Sequence, residues 1–388
     1  MLNKPRLLTP GPTPLPEQIR LAMAQDMIHH RKSEFKLVMA ELQERLRMLF
    51  GTAQPVMPLA CSGTGVMTAA VTNLFAPGEK VIVVDGGKFG ERWAKISQGH
   101  GLEVVTITVE WGNAVSVAEV EAAMNAHPDA RGLLIQNSET STGVLHPVHV
   151  LGALTRSRNM LLVVDGISSV GISPCPMDEW NIDCLVTGSQ KGLMLPPGLG
   201  LIALSERAWA KAETVPPACF YFNLLSERAN VQKNQTLFTT PVSLIIGLNE
   251  SMKMFMEAGL ETVYRKQWAL TMFARTSVKE MGLELLAKDR FTWGLTSVLL
   301  PEGIDGARLL EIAADRFGVY MAGGQDHLKG RAVRIGHMGW VDWADLAAGL
   351  HALAEAFRAC GGYIGSRDYL EKGLQAYHEA LLTYDGTM

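Results

Sequence analysis

The chain has 388 residues, 47% hydrophobic and 19% charged, with a formal net charge of −4. This length suggests about two or three domains with sizeable cores, and the composition is that of a globular protein. A slightly acidic balance without any basic run argues against nucleic-acid binding, and no run of about 18 apolar residues exists to span a membrane.

The opening segment, MLNKPRLLTPGPTPLP, has no apolar stretch of the kind that directs secretion, so a cytoplasmic protein is expected. Residues 1–15 read as an N-terminal arm and residues 16–258 as a large domain. QPVMPLA contains two prolines and is expected to make a poor strand. The small-residue turn that follows, in CSGTGVMTAAVTNLF, opens a helix, and its exposed amides at Ser62, Gly63 and Thr64 suit an anion. The same fragment half-matches a dinucleotide fingerprint, but weakly, and no GxxxxGK[ST] loop exists.

Six apolar runs then alternate with helical patterns: VIVVDG from Val81, EVVTITV from Glu103, GLLIQN from Gly132, LLVVDG from Leu161, CLVTGS from Cys184 and GLIALS from Gly200. They read as strands buried on both faces of a largely parallel sheet, which makes the large domain α/β. From about Gly259 to residue 388 the pattern changes to long helices, with strands at LTSVLLP and RAVRIGHM and a closing helix from Trp343, as in a smaller α+β domain. Beyond about residue 362 one more amphipathic helix is expected. The five cysteines, Cys61, Cys175, Cys184, Cys219 and Cys360, are scattered without a CxxC and imply neither a disulfide framework nor a metal site.

Two strand ends carry the chemistry. LLVVDG ends on Asp165, and the strand CLVTGS runs into Gln190 and Lys191. Either residue alone is explained by a turn cap or a solvated lysine. Together they suit pyridoxal 5′-phosphate: the lysine amine forms a Schiff base with the cofactor aldehyde, and the aspartate keeps the pyridine nitrogen protonated.

The ordered set TPGPTPLP, HRKSEF, SGTG, GGKFGERW, ETSTGVLHP, VVDGISSVG, TGSQKGLMLPPGLG, TTPVS and VRIGHMG spans residues from about 8 to 339. It resembles the class V aminotransferases of the alanine/serine–glyoxylate (serine–pyruvate) group. The resemblance implies fold type I, a largely parallel mixed sheet with a smaller C-terminal domain. It implies Lys191 and Asp165 as catalytic residues and Phe89 as the ring-stacking aromatic. Thr140 would hydrogen-bond the cofactor on its 3′-oxygen side, and Ile167 would also contact the cofactor. Ser62, Gly63, Thr64 and Gln190 would hold the phosphate, joined by Thr239 from a neighbouring subunit, so a homodimer with shared active sites is expected. Arg334 and the backbone of Gly11 would take the substrate carboxylate. His30 and Arg31 fit a structural or intersubunit role.

The activity implied is ping-pong transfer of an amino group from alanine or serine to glyoxylate or pyruvate. Three alternatives stand beside it. A cysteine desulfurase-like or other lyase would need a loop cysteine, for which only Cys219 and Cys360 are available. A nicotinamide dehydrogenase rests on the weak glycine match. An aminotransferase-like subunit of another assembly is also open, because fold does not fix function.

Overall fold

The computed structural model describes residues 3–386; residues 1–2 and 387–388, at the outer ends of the expected arm and C-terminal segment, lie outside the described residues. The apolar runs form a seven-stranded sheet. Its strands are β1 (Val56–Ala60), β2 (Lys80–Asp85), β3 (Glu103–Thr108), β4 (Gly132–Gln136), β5 (Leu161–Asp165), β6 (Cys184–Gly188) and β7 (Leu199–Leu204). Their order is β1-β7-β6-β5-β4-β2-β3. The five strands from β6 to β3 are mutually parallel, and β7 runs against both β6 and β1.

Alternation along each strand divides the core in two. Ile82, Val84, Leu133, Ile135, Leu162 and Val164 face one helical layer, while Val81, Val83, Leu134 and Val163 face the other. Strands β4 to β7 are buried throughout, as a sheet covered on both sides requires.

Two runs depart from expectation, both at sheet edges. QPVMPLA does supply a strand, β1, because an edge strand has one side free of partners and tolerates the N–H that Pro58 lacks. It is followed by helix α1 (Gly63–Leu74), but it pairs antiparallel with β7, so this is not the parallel unit a dinucleotide fingerprint needs. EVVTITV forms β3 at the opposite edge and is exposed or only partly buried along its length, not buried on both faces.

The smaller C-terminal domain carries an antiparallel sheet of β8 (Glu284–Leu285), β9 (Leu295–Leu299), β10 (Ala322–Gly323) and β11 (Ala332–Gly336), in the order β8-β9-β11-β10. It shares a separate core with helices α3 (Leu260–Glu280) and α4 (Trp343–Ala359). The final helix, α5 (Tyr369–Thr383), joins that core through buried Tyr369 and an edge contact between Tyr377 and Phe273 at 6.3 Å. The N-terminal arm runs over its own chain. Arg6–Leu7 pairs in parallel with Val319–Tyr320, and Leu8, 1% exposed, enters the small-domain core. No helix among the described residues is long and apolar enough to cross a membrane.

Parallel strands bring their C-terminal ends to one edge of the sheet, the usual place for a site in such folds. Gln136, Asp165 and Gly188 end β4, β5 and β6 there.

Candidate active site

After Asp165 the chain turns sharply, with Ser169 and Val170 both donating to the Gly166 carbonyl. The turn brings the Ile167 N–H to 2.8 Å from Asp165 Oδ1. Among the described residues that is the only hydrogen bond the buried carboxyl receives. Burial pushes its pKa up to about 7; the Ile167 amide opposes that shift, the Glu139 carboxyl adds to it, and the charges of Lys191 and Arg92 pull against it. An acid this poorly satisfied is stabilised by a cation or a protonated ring nitrogen placed against it.

Lys191 lies three residues beyond the end of β6 and is also buried. Burial lowers its pKa to about 8, the Arg334 charge acts in the same direction, and Asp165 opposes both. An amine in this range is partly neutral near physiological pH, as a nucleophile or proton acceptor must be. Its Nζ donates to the Pro10 carbonyl, and Thr13 in the same arm donates from Oγ1 to the Lys191 carbonyl at 3.0 Å. Gly11, between them, has φ +128°; a Cβ there would stand 2.7 Å from Lys191 Cδ and 2.9 Å from Nζ. Only glycine combines that backbone with so close an approach.

Ser62 caps α1 with extended backbone, and its side chain makes no capping bond, which leaves the hydroxyl and the first amides of the helix available. Gly63 seats this helix end on Ile167: a Cβ on Gly63 would come within 2.6 Å of Ile167 Cδ1. Arg92, on helix α2 (Lys88–Gly99), donates to Thr64 Oγ1 at 3.1 Å and holds its guanidinium 4.9 Å from the Phe89 ring centroid. Gln190, beside Lys191, has a buried Oε1 with no partner.

Arg92 is not singled out by sequence reasoning. Its signal is present in KFGERW, where Phe89 and Arg92 stand one helical turn apart on the same face.

Glu139 is the second residue the sequence leaves unassigned, and it organises the other wall. Fully buried, its carboxyl accepts from the Phe89 and Gly90 amides at 3.1 Å each, from Gln136 Nε2 at 3.0 Å, and from Ser141 through both N–H and hydroxyl. Burial pushes its pKa up against these bonds. A carboxyl at the N-terminus of α2 satisfies amides that the helix itself cannot, and it fixes the backbone that bears Phe89. The next residue, Thr140, accepts from Arg334 Nη1 at 3.0 Å through its carbonyl.

Arg334, in the middle of β11, also donates from Nε to Gly323 O at 2.9 Å and from Nη1 to Gln325 Oε1 at 3.4 Å. Among the described residues no carboxylate pairs with it, and Nη2 makes no protein hydrogen bond. A buried guanidinium with a free edge is suited to an incoming carboxylate.

Thr239 lies apart from this group within the chain. It is exposed and lines a groove of about 580 Å3 with His29 and His30, which no residue placed above enters. Arg31 is tied to its own chain, donating to the carbonyls of Thr236 at 2.6 Å and Leu237 at 2.8 Å. His30 stacks on His29 with ring centroids 4.8 Å apart.

A family model described as aminotransferase class-V matches residues 16–336. The chain is 35% identical over 366 residues to a Synechococcus protein named soluble hydrogenase, small subunit, covering 94% of this chain and 95% of the relative. It is 34% identical over 349 residues to serine–glyoxylate aminotransferase of Methylorubrum extorquens, covering 86% of each. Among solved structures, ureidoglycine–glyoxylate aminotransferase from Bacillus subtilis superposes with a TM-score of 0.91 at 25% identity, over 97% of this chain and 99% of that one. The mixed sheet with its smaller C-terminal domain is the fold type I arrangement expected from the sequence.

Proposed function

The chain belongs to the class-V aminotransferase family, and from that premise we propose that it moves the amino group of alanine or serine to glyoxylate or pyruvate, using pyridoxal 5′-phosphate. The observation that carries this reading is the pairing of an under-satisfied buried acid, Asp165, with a pKa-depressed buried amine, Lys191. Glyoxylate as acceptor is supported by the names of the Methylorubrum and Bacillus relatives.

The residues present fit the cofactor. Asp165, with one hydrogen bond among the described residues, can accept a ring N–H, Ser62, Gly63, Thr64 and Arg92 form a donor set for a phosphate, and Gln190, whose Oε1 has no partner, stands beside Lys191. When bound, pyridoxal phosphate supplies an electron sink that acidifies the substrate Cα–H. Lys191 is the attachment point, and it moves the proton released from Cα. Asp165 keeps the ring nitrogen protonated. Arg334, with the backbone of Gly11 nearby, binds the substrate carboxylate through its free guanidinium edge and so orients Cα. Phe89, with its backbone held by Glu139, would stack on the cofactor ring, and Thr140 and Ile167 would help hold it.

Thr239 reaches the phosphate of a neighbouring copy, which makes the working unit a homodimer with C2 symmetry. The compartment is the cytoplasm. A fully active monomer in sedimentation at assay concentration would contradict the dimer.

The test is an amino-transfer screen of the purified protein with pyridoxal phosphate, pairing a panel of amino acids with glyoxylate, pyruvate and 2-oxoglutarate. Transfer from alanine or serine to glyoxylate or pyruvate is the expected outcome. The name of the Synechococcus relative raises a second reading, a non-catalytic subunit of a larger assembly, and absence of transfer with every pair would favour it.

A further inference from the structure

Behind the backbone that carries Lys191 lies a separate cavity of about 200 Å3. None of the residues assigned above to cofactor or substrate lines it. Its walls are mainly apolar, formed by Met194, Met254, Phe255, Val263 and Trp340, with Thr262 and Gln267 adding polar groups. Gly192, directly after Lys191, and Gly171, in the loop that follows Asp165, border it on the side of the two strand ends.

One cation faces this space. Lys266, on α3, lines both this cavity and a larger one of about 650 Å3 under the N-terminal arm. No carboxylate pairs with its amine among the described residues. The acids nearest in charge are Asp342 and Asp345, and both are engaged elsewhere: Asp345 with Arg6 at 3.3 Å, and Asp342 Oδ1 with the Asp345 amide at 2.8 Å. The amine stands 6.0 Å from the Trp340 ring centroid, and burial lowers its pKa while the charges of Asp342 and Asp345 oppose that shift without an ion pair.

An apolar cavity with a single under-compensated cation at its rim is complementary to a molecule with a carboxylate head and a short hydrocarbon tail. We propose that this cavity is a second binding site, for a short-chain aliphatic monocarboxylate, with the carboxylate on Lys266 and the chain among Met254, Phe255 and Val263. The occupant would rest against Gly192 and not on Arg334, so it is distinct from the amino-acid and oxo-acid substrates.

The experiment is calorimetric titration of the full chain with hexanoate, with hexan-1-ol as the uncharged probe of the same length. Saturable binding of one hexanoate per chain is expected, with hexan-1-ol at least tenfold weaker. Lys266→Met should weaken hexanoate at least tenfold, Met254→Trp should abolish binding by filling the cavity, and Arg334→Ala should leave it unchanged. Loss of binding in Arg334→Ala would place the hexanoate in the substrate site and overturn the proposal. So would no saturable binding, equal affinity for hexan-1-ol, or hexanoate affinity retained in Lys266→Met. Thermal melting checks that each variant is folded, and where one is not, the comparison of hexanoate with hexan-1-ol on the parent protein decides.

Discussion

Strands β5 and β6 lie side by side, and each end of the pair carries a buried aspartate. At the end away from the site, Asp183 accepts from the Leu162 amide at 3.0 Å, from Ser205 Oγ at 2.7 Å and from Arg207 at 3.2 Å. At the other end, Asp165 accepts from one amide. Burial raises the pKa of both. What separates them is completion: the protein supplies every partner Asp183 needs and withholds those of Asp165. A buried polar group left short of partners is either a defect or a place kept for a ligand, and its position at the carboxyl edge of a parallel sheet favours the second.

That contrast can be broken by mutation, beginning where the effect is largest. Lys191→Ala should reduce amino transfer by at least about a thousandfold, within the range general-base catalysis contributes, while the melting transition is kept. Borohydride reduction followed by peptide mapping should label Lys191 in the parent, and a label on another lysine would refute the assignment. Asp165→Asn should cost about a hundredfold in turnover with little loss of stability. Asp183→Asn should do the reverse, lowering stability by about 3 kcal/mol in denaturant titration with kcat/KM per folded molecule unchanged. If both aspartates behave alike, the two ends of the sheet do not differ in the way proposed.

Arg334→Lys keeps the charge but loses the planar fork, so kcat/KM for alanine or serine should fall about tenfold, about 1.4 kcal/mol, with the cofactor's visible absorption intact. Equal efficiency in variant and parent would move the carboxylate anchor elsewhere. The smallest effect is on pH dependence. With its folded pKa raised to about 7 from an unfolded value of about 3.9, Asp165 binds more protons in the folded cofactor-free protein between those limits. Its contribution to stability is therefore present below about pH 4 and is lost as pH rises to about 7. Asp183 slopes the same way, so the difference between the parent and Asp165→Asn in denaturant titrations across pH isolates Asp165.

The sequence makes the central strands legible because burial on both faces leaves a local mark, an unbroken apolar run. GLLIQN, LLVVDG and CLVTGS each contain the strand they suggest, and VIVVDG misses only Lys80 at the start of its strand. The edges are less legible: Pro58 argues against a strand that an edge position permits, and the apolar look of EVVTITV hides its exposure. Within the site, Asp165 and Lys191 stand out because strand ends are themselves readable. Glu139 does not, because the amides it binds belong to a helix about 50 residues earlier in the chain. Nothing local distinguishes it from any loop glutamate. Lys266 is hidden for a similar reason, since a lysine on a long helix is normally solvated and only the packing of Trp340 and Phe255 reveals the space it faces.

The pairing of Arg6–Leu7 with Val319–Tyr320 sets an order of events during synthesis. The arm leaves the ribosome before its hydrogen-bonding partners, which follow more than 300 residues later. Until they emerge, Leu8 has no small-domain core to enter and the Pro10 carbonyl cannot be held over Lys191 by that anchorage. The large sheet can assemble while its reactive amine is still uncovered on the arm side, so a segment translated ahead of the whole sheet is among the last to complete the site.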